Sequence, residues 1–262
     1  MGIYQTEAGR VAIVTGGGSG IGRASAIAFA KEGMKVCVMD VKEERSEEVA
    51  EEIRNSGGEA MSSGVDVSNP QEVQQGIEQT IQKWGRLDVL FANAGINGTL
   101  APIEKLSLEQ WNATISTNLN GTFLTVKHSI PYLKKEGGSI VITSSINGNR
   151  TFHGFGMAAY SSTKAAQVAF MKMAALELAR YKIRVNAICP GAIQTNIGQN
   201  THTTEEVKEI TIPVNYPEGH QPLEHKPGEP EQVADLVLFL ASERSSHISG
   251  TEIYIDGAET LL

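Results

Sequence analysis

Residues 11–22 read VAIVTGGGSGIG. The apolar run Val11–Thr15 is typical of a buried strand, the glycines after it indicate a tight turn, and a helical pattern with Ile27 and Phe29 follows. Glycine permits positive φ and close approach of the main chain to a phosphate, and a helix N-terminus offers free N–H groups and a partial positive charge. The stretch therefore predicts a strand, a phosphate-binding turn and a helix in that order.

The rest of the chain alternates short apolar runs with helical patterns. Candidate strands are residues 11–15, 35–40, 59–66, 89–93, 138–143, 183–189 and 252–256. The clearest helical pattern runs from Val73 to Trp84 and is opened by Ser68-Asn69-Pro70, with proline near the first turn. Strands that alternate with helices predict an α/β fold. We expect a Rossmann-type doubly wound parallel sheet of about seven strands with helices on both faces.

The domain organisation follows from the same pattern. We expect a single domain over residues 1–262, because neither an internal repeat nor an interdomain linker is present. Residues 195–229 interrupt the alternation and carry Pro213, Pro217, Pro222 and Pro227. A long irregular insertion in a compact domain is usually functional, so we interpret it as a loop that closes over substrate. Its histidines lack metal-ligand spacing, and we predict no metal site.

Composition excludes several classes of function. The chain has 262 residues with 22 basic and 30 acidic side chains, a net charge of −8. Such a surface repels phosphate backbones, so nucleic-acid binding is not expected. Cys37 and Cys189 lie inside apolar runs and are interpreted as small buried hydrophobic residues. Neither a signal peptide nor a membrane-spanning run is present, which predicts a cytoplasmic protein without a membrane partner.

Asp40 ends the second predicted strand, at the distance from the glycine turn where an acidic residue meets the adenosine ribose. A carboxylate there accepts hydrogen bonds from the ribose hydroxyls and repels a 2′-phosphate, so we predict NAD rather than NADP. Alternatively Asp40 caps the next helix, and it can do both. Lys42 lies close by and favours the phosphorylated cofactor. Ser19 and Val41 occupy the places where a basic residue would do so more directly.

Tyr160 and Lys164 are four residues apart in a segment with helical character, so their side chains rise from one helix face. An ammonium beside a phenol stabilises the phenolate and lowers the tyrosine pKa, which makes a usable proton donor and acceptor near neutral pH. The alternative is that tyrosine and lysine meet at this spacing by chance on a solvated helix. The other motifs of the chain decide between a catalytic pair and a chance pair.

Taken in order, these motifs resemble the short-chain dehydrogenase/reductase family over nearly the whole chain, from Gly9 to about Ala258. The family's glycine turn is matched by Thr15, Gly16, Gly20 and Gly22, and its Asn-Ala-Gly by residues 93–95. The resemblance implies a cofactor site made by residues of the turn and of the segments after the strands. These are Gly16, Ser19, Gly20, Ile21, Gly22, Asp40, Asp66, Val67, Asn93, Ala94, Gly95, Tyr160, Lys164, Pro190, Gly191, Ile193 and Thr195.

The same resemblance implies a catalytic set of Asn118, Ser145, Tyr160 and Lys164. Either serine of Ser144-Ser145 could serve, and alignment of the flanking residues favours Ser145 as catalytic and Ser144 as structural. The segment from Ser145 to Tyr160 is about two residues longer than the family pattern. We therefore expect this segment to form a wall of the substrate pocket that is particular to this protein. Asn147 and Phe155 are its candidate substrate contacts, although Phe155 could equally be ordinary core.

The implied function is an NAD-dependent oxidoreductase that interconverts a secondary alcohol and a ketone by hydride transfer. Tyr160 is the expected general acid and base, Ser145 the donor to the oxygen that develops charge, and Lys164 the ribose ligand that keeps the tyrosine pKa low. Asn118 would interrupt local helix hydrogen bonding and hold a relay water, or would simply mark a kink. Alternatives are an NADPH-dependent carbonyl or 3-oxoacyl-thioester reductase and a non-catalytic nucleotide-sensing protein.

The family commonly forms tetramers, and the resemblance therefore implies a homotetramer. The subunits would pair through the helix around residues 111–128 and through the helix after Tyr160. The latter is apolar on more than one face, which a subunit contact or an internal core would each explain.

Overall fold

The computed structural model of the protein describes residues 7–152, 154–216 and 219–262. Pro217, assigned above to the loop 195–229, lies outside the described residues.

Nine strands occur in the described residues. They are β1 (Val11–Thr15), β2 (Lys35–Asp40), β3 (Glu59–Gly64), β4 (Val89–Ala92), β5 (Gly98–Leu100), β6 (Gly138–Thr143), β7 (Ile183–Pro190), β8 (Thr201–Thr203) and β9 (Glu252–Ile255). Seven of them form one sheet in the order β3-β2-β1-β4-β6-β7-β9, and every neighbouring pair is parallel. The order reverses direction between β1 and β4, and ligands of open α/β sheets bind in the crevice at such a point.

The predicted strands are confirmed, with ends that differ by one or two residues at β3, β4, β7 and β9. The pair β5 and β8 was not predicted. It forms a separate parallel two-stranded sheet in which Gly98 aligns with Thr201 and Leu100 with Thr203. Because each strand has only three residues, no period of two can be recognised in the sequence.

Eight α-helices lie between and after these strands in the described parts of the chain. They are α1 (Gly20–Lys31), α2 (Glu43–Asn55), α3 (Pro70–Trp84), α4 (Leu108–Ile115), α5 (Gly121–Leu133), α6 (Ala158–Leu178), α7 (Val207–Ile210) and α8 (Pro230–Ala241). The helix predicted after Asn69 is confirmed as α3. The Asn69 side chain accepts hydrogen bonds from the main-chain N–H groups of Gln71 and Glu72, and Gly85 ends the helix at a φ of 80°.

The helices cover both faces of the sheet and bury two hydrophobic clusters, one on each face. Alternate residues of β1 show the division, because Val11 and Ile13 belong to one cluster and Ala12 and Val14 to the other. All four are fully buried. Such a strand has no polar face, which explains why the central strands of the sequence are continuous apolar runs. The doubly wound α/β fold is therefore confirmed, and the carboxyl ends of its strands meet at one edge.

Two expectations from composition concern buried thiols and membranes. Cys37 and Cys189 are both free and buried, as predicted. Among the helices of the described residues, none is both long and apolar enough to cross a bilayer.

Candidate active site

A cavity of about 450 Å³ lies at the carboxyl ends of the strands, over the crevice between β1 and β4. It brings together most of the residues assigned to the cofactor from the sequence. Those on its lining are Gly16, Ser19, Gly20, Ile21, Asp40, Asp66, Val67, Asn93, Ala94, Gly95, Tyr160, Lys164, Pro190, Gly191, Ile193 and Thr195. Ser144 and Ser145 line the same cavity. Residues more than 170 positions apart in the chain are thus gathered around one space.

Four of the assigned residues do not line it. Gly22 packs beneath the turn, where a Cβ atom would lie 2.1 Å from the main-chain oxygen of Gly16. Asn118 is fully buried below the cavity floor. Asn147 is absent from the lining, and its side chain accepts a hydrogen bond from Ser161 Oγ at 3.0 Å and donates to Met157 Sδ at 3.2 Å. Phe155 is half-buried outside the lining. Neither residue lines this cavity, and the assignment of Asn147 and Phe155 to the substrate pocket stays a prediction.

The glycine turn has the geometry that a bound diphosphate needs. Gly16 and Gly20 have φ values of 61° and 51°, which only glycine adopts without strain. Ser19 precedes α1 in an extended conformation, and its side chain makes no hydrogen bond to the first turn of the helix. The N–H groups at this helix N-terminus are therefore available to an anion, and no acidic side chain in the first turn opposes one. The turn fits the phosphates of a dinucleotide.

Asp40 is buried at the other end of the cavity. Its Oδ2 accepts a hydrogen bond from the Gly18 N–H at 3.1 Å, and its Oδ1 accepts from the Lys42 N–H at 3.0 Å. Lys42 is the residue that precedes α2, so Asp40 fixes the main chain at the start of that helix and also lines the cavity. A carboxylate oxygen has two lone pairs, which leaves each oxygen one acceptor position.

Sequence reasoning missed Arg45 at this end. Arg45 lines the cavity from the first turns of α2, and its Nη2 donates to Gln199 Oε1 at 3.1 Å. The Cβ atom of Arg45 would lie 2.6 Å from a Cβ at position 18, so the arginine stem passes directly over the glycine turn. The available sequence signal was a basic residue about one helical turn after Asp40, the acidic residue that ends β2. Basic residues at such positions are common on solvated helices.

At the opposite end, α6 presents Tyr160 and Lys164 to the cavity. Both are buried, and Lys164 Nζ lies 5.5 Å from the centre of the Tyr160 ring and donates to the Thr143 main-chain oxygen at 2.8 Å. Burial lowers the pKa of Lys164 to about 8. Burial also raises the pKa of Tyr160, while a hydrogen bond with Ser145 acts in the opposite direction. The expected low tyrosine pKa is therefore wrong for the protein alone, because loss of hydration of the phenolate outweighs its stabilisation.

The two adjacent serines have different surroundings. Ser144 Oγ donates to the main-chain oxygen of Lys164 at 2.7 Å and accepts from Asn149 Nδ2 at 3.0 Å, so it ties the end of β6 to α6. Ser145 Oγ accepts from the Asn147 N–H at 3.1 Å and is hydrogen-bonded with Tyr160. The geometry thus places Ser145 beside the phenol and gives Ser144 a packing role. Asn149, which also donates to the Ser145 main-chain oxygen at 2.8 Å, was not found from the sequence.

Asn118 lies in a single π-helical turn, Ser116–Asn120, between α4 and α5. This turn is the interruption of helical hydrogen bonding that was expected. The Asn118 side chain accepts from the Ile96 N–H at 2.9 Å, and donates to the Ile96 main-chain oxygen at 2.9 Å and to Thr163 Oγ1 at 3.2 Å. Ile96 lines the cavity, so Asn118 fixes a piece of its wall from below. A buried side chain with two main-chain bonds to one residue is held in a single orientation.

The sequence predicts an irregular loop over residues 195–229, but the described part of this loop contains β8 and α7. Its first part, residues 196–203, lies across the cavity and contributes Asn196, Ile197 and Asn200 to the lining. Pairing of β8 with β5 and a hydrogen bond from Asn97 Nδ2 to Thr201 Oγ1 at 2.9 Å hold this part to the segment that follows β4. Residues 196–203 of the loop therefore cover the cavity.

Comparison with known proteins places this fold and site in a family. A family model described as "Enoyl-(Acyl carrier protein) reductase" matches residues 16–258. The 3-oxoacyl-[acyl-carrier-protein] reductase FabG of Thermotoga maritima is 36% identical over 250 residues, which are 95% of this chain and 97% of the relative. The 2,5-dichloro-2,5-cyclohexadiene-1,4-diol dehydrogenase LinX of Sphingobium indicum is 39% identical over 253 residues, which are 95% of this chain and 96% of LinX.

Solved structures agree with these relatives. The crystal structure of a 3-ketoacyl-ACP reductase from Sinorhizobium meliloti 1021 superposes with a TM-score of 0.93 at 49% identity, and covers 96% of this chain and 99% of its own. A 3-ketoacyl-(acyl-carrier-protein) reductase from Brucella melitensis, crystallised with NADH, gives a TM-score of 0.85 at 29% identity over 97% of this chain and 99% of that one.

The chain belongs to the short-chain dehydrogenase/reductase family. It is an oxidoreductase of that family that acts on CH–OH groups with a nicotinamide cofactor.

Proposed function

We propose that this oxidoreductase is NAD-dependent and interconverts a secondary alcohol and a ketone, with Tyr160 as the general acid and base. The observation that carries the proposal is the convergence of Tyr160, Ser145 and Lys164 on one end of a cavity whose other end holds Asp40. The cluster of Tyr160, Ser145 and Lys164 is suited to proton transfer at an alcohol oxygen. The Asp40 carboxylate is suited to an unphosphorylated ribose. The proposal takes residues 1–262 as one domain with a substrate loop at about 195–229.

The cofactor preference rests on charge at the adenosine end. Asp40 keeps one acceptor position on each carboxylate oxygen for ribose hydroxyls, and its charge repels a 2′-phosphate. Lys42 and Arg45 line the same end and would attract that phosphate. They are also the observation that favours a second candidate, an NADPH-dependent 3-oxoacyl-thioester reductase. FabG and the Sinorhizobium protein are named as 3-oxoacyl- and 3-ketoacyl-ACP reductases. We favour NAD because Asp40 is buried and fixed.

The chemistry at the other end follows from three side chains. When bound, the nicotinamide ring supplies the hydride acceptor for alcohol oxidation or the donor for ketone reduction. Tyr160 takes the hydroxyl proton of the alcohol, or returns it to the ketone oxygen. Ser145 Oγ accepts the Asn147 N–H, and its hydroxyl, hydrogen-bonded with Tyr160 in the protein alone, turns to donate to the substrate oxygen as charge develops there. Lys164 holds a positive charge near the phenol and the cofactor ribose, which opposes the rise in the Tyr160 pKa that burial causes.

Asn118 has one atom that can hold a relay water. Its main-chain oxygen accepts from Thr122 Oγ1 at 2.7 Å and from Gln167 Nε2 at 2.9 Å, which uses both lone pairs. Its Oδ1 accepts only from Ile96 N–H and keeps one lone pair. Asn118 Oδ1 and Lys164 Nζ lie 3.3 Å and 3.6 Å from the place where a Cβ atom of Gly95 would stand. We therefore assign the water to the space beside Gly95, between Oδ1 and the lysine.

We further propose a homotetramer, located in the cytoplasm, without nucleic-acid or membrane partners. Three large apolar side chains on α5 and α6 support the assembly, because Phe123, Met173 and Leu176 are 46%, 56% and 75% exposed. Single exposed apolar residues are ordinary, but these three lie on the two helices that the family pairs between subunits. Light scattering at micromolar concentration is expected to give four times the mass of one chain, and a monomeric mass would refute the assembly.

The decisive experiment follows NADH or NADPH formation over secondary alcohols, cyclic polyols and hydroxy acids, together with oxidation of NADH or NADPH by the ketones and by a 3-oxoacyl thioester. We expect turnover with NAD that is lost in Tyr160→Phe while NADH binding persists. Turnover only with NADPH and the thioester would select the second candidate. Undiminished turnover in Tyr160→Phe would reject the assigned proton transfer. NADH binding with no turnover on any substrate would favour a nucleotide sensor.

A further inference from the structure

Glu259 carries a largely buried carboxylate outside the catalytic set. It follows β9 in a short helical turn, Glu259–Leu261, and its side chain is only 13% exposed. Oε2 accepts a hydrogen bond from the Ala192 main-chain N–H at 3.1 Å and another from Gln221 Nε2 at 2.6 Å. Oε1 lies 3.2 Å from His220 Nδ1. One carboxylate thus joins three segments that are distant in sequence.

The first of these segments lines the nicotinamide end of the cavity. Pro190, Gly191, Ala192 and Ile193 all belong to the lining, and the Pro190 main-chain oxygen accepts from the Ile146 N–H, next to Ser145. A Cβ atom at Gly191 would lie 2.7 Å from Glu259 Oε2, so glycine at this position is what lets the carboxylate reach the neighbouring N–H. The acceptor of the Ala192 N–H is therefore Glu259, which lies on the side of residues 190–193 that faces the C-terminal turn.

The second segment is the latter part of the loop 195–229. His220 and Gln221 contact Glu259 directly, and the Leu223 N–H donates to the Gly257 main-chain oxygen at 3.2 Å. The end of the loop also reaches the cavity wall, because the Gly228 N–H donates to the Ala192 main-chain oxygen at 3.0 Å. The two main-chain polar groups of Ala192 are thus held by Glu259 on one side and by the loop on the other.

The third segment is the turn that aims Glu259. Asp256 Oδ2 accepts from the main-chain N–H and the hydroxyl of Thr260, and Asp256 Oδ1 accepts from the Ala258 N–H. Ala258 has a φ of 68°, a left-handed conformation that costs free energy in a residue with a Cβ. The chain keeps this strained residue immediately before Glu259, and the bend turns the carboxylate back toward Ala192.

We propose that Glu259 is a positioning residue that holds the Pro190–Ile193 segment against the nicotinamide end of the cofactor and couples it to the loop 195–229. The inference rests on the proposed cofactor orientation, with the adenosine at Asp40 and the nicotinamide at Tyr160. Glu259 is not itself part of the cavity lining, whereas Ala192 is. It acts through Ala192.

The test compares binding of NADH with binding of ADP-ribose, which lacks the nicotinamide, by titration calorimetry on the full chain. In Glu259→Ala we expect NADH affinity to fall about tenfold, as for loss of one hydrogen bond to a charged group, with ADP-ribose affinity unchanged. Glu259→Gln should recover most of the NADH affinity, because an amide oxygen still accepts the Ala192 N–H. Glu209→Ala, on the exposed face of α7 in the same loop, is the matched control and should bind both ligands normally.

The outcomes separate the inference from the proposed function. Unchanged NADH affinity in Glu259→Ala would overturn the role of Glu259, as would an equal loss of NADH and ADP-ribose, which indicates a general loss of structure. Glu259→Gln binding NADH as weakly as Glu259→Ala would also overturn it. A wild-type chain that binds neither ligand would instead refute the proposed cofactor site itself.

Discussion

Gln167 Nε2 donates a hydrogen bond to the main-chain oxygen of Asn118 at 2.9 Å and another to Thr122 Oγ1 at 2.7 Å. Thr122 Oγ1 in turn donates to the same Asn118 oxygen, so the amide nitrogen of Gln167 must face both atoms. The glutamine replaces a helical hydrogen bond where the π-helical turn interrupts the ladder. It lies three residues after Lys164, on the side of α6 that faces the turn.

Replacement of Gln167 by methionine should destabilise the protein and slow turnover. The change keeps the volume but removes both donated hydrogen bonds in a fully buried place, which costs about 1–3 kcal/mol in free energy of unfolding. Because Asn118 fixes Ile96, we expect kcat to fall while NADH affinity changes little. Urea unfolding and steady-state kinetics measure the two effects. Gln75→Met, at an exposed position on α3, is the control and should change neither.

The strand β1, the glycine turn and Asp40 could be found from the sequence because their signals are local. A fully buried strand is a continuous apolar run, a left-handed turn requires glycine, and a strand-end carboxylate stands out among apolar neighbours. All seven strands of the main sheet were located, including β3 and β9, which are only partly buried. The assignments of Tyr160 and Lys164 to one helix face needed only the period of the α-helix.

Gln167, Arg45 and Glu259 could not be found, because their significance depends on contacts between distant segments. Glu259 stands 67 residues after Ala192, and Arg45 stands 154 residues before Gln199. The sign of the Tyr160 pKa shift was also missed. The sequence shows that a lysine is near but not that both groups are buried, and burial has the larger effect here.

Gly22→Ala should abolish cofactor binding and destabilise the protein. The added Cβ would lie 2.1 Å from the Gly16 main-chain oxygen, so either α1 or the turn must shift. Such overpacking costs typically about 1–3 kcal/mol, and the shift also spoils the N–H groups that face the diphosphate. Thermal unfolding with and without NADH measures both effects. Gly198→Ala, in the loop where a Cβ meets nothing within 4 Å, should behave like the wild type.

Lys164→Met should make the protein without cofactor more stable at pH 7 although it removes activity. Burial depresses the pKa of Lys164 from 10.5 to about 8, so the folded state holds this proton less tightly than the unfolded state. The resulting penalty is fully present below pH 8 and disappears as the pH rises to about 10.5. Removal of the charge is worth up to about 3 kcal/mol at pH 7, less the lost hydrogen bond to Thr143.

Urea unfolding of Lys164→Met and the wild type at pH 7, 9 and 10.5 checks this sign. The difference in free energy of unfolding should favour the variant at pH 7 and shrink steadily as the pH rises. Lys172→Met, an exposed change on the same helix, controls for general effects of the substitution. A variant that is less stable than the wild type at every pH would show that Lys164 stabilises the fold.

Asp40→Asn should weaken the discrimination against NADP without unfolding the adenosine end. Each carboxylate oxygen now holds one main-chain N–H, from Gly18 and from Lys42. The asparagine oxygen can keep one of these bonds, and the variant loses the charge that repels a 2′-phosphate while Lys42 and Arg45 remain. We expect the ratio of NAD to NADP affinity to fall at least tenfold, or about 1.4 kcal/mol, mostly through tighter NADP binding. Raising the salt concentration should reduce the gain in NADP affinity, because its source is electrostatic.

Asp40→Ala removes both hydrogen bonds to the main chain and should in addition lower the affinity for NAD itself. Calorimetric titration of both dinucleotides distinguishes the two variants. An unchanged affinity ratio in both would show that the preference arises elsewhere on the cavity wall.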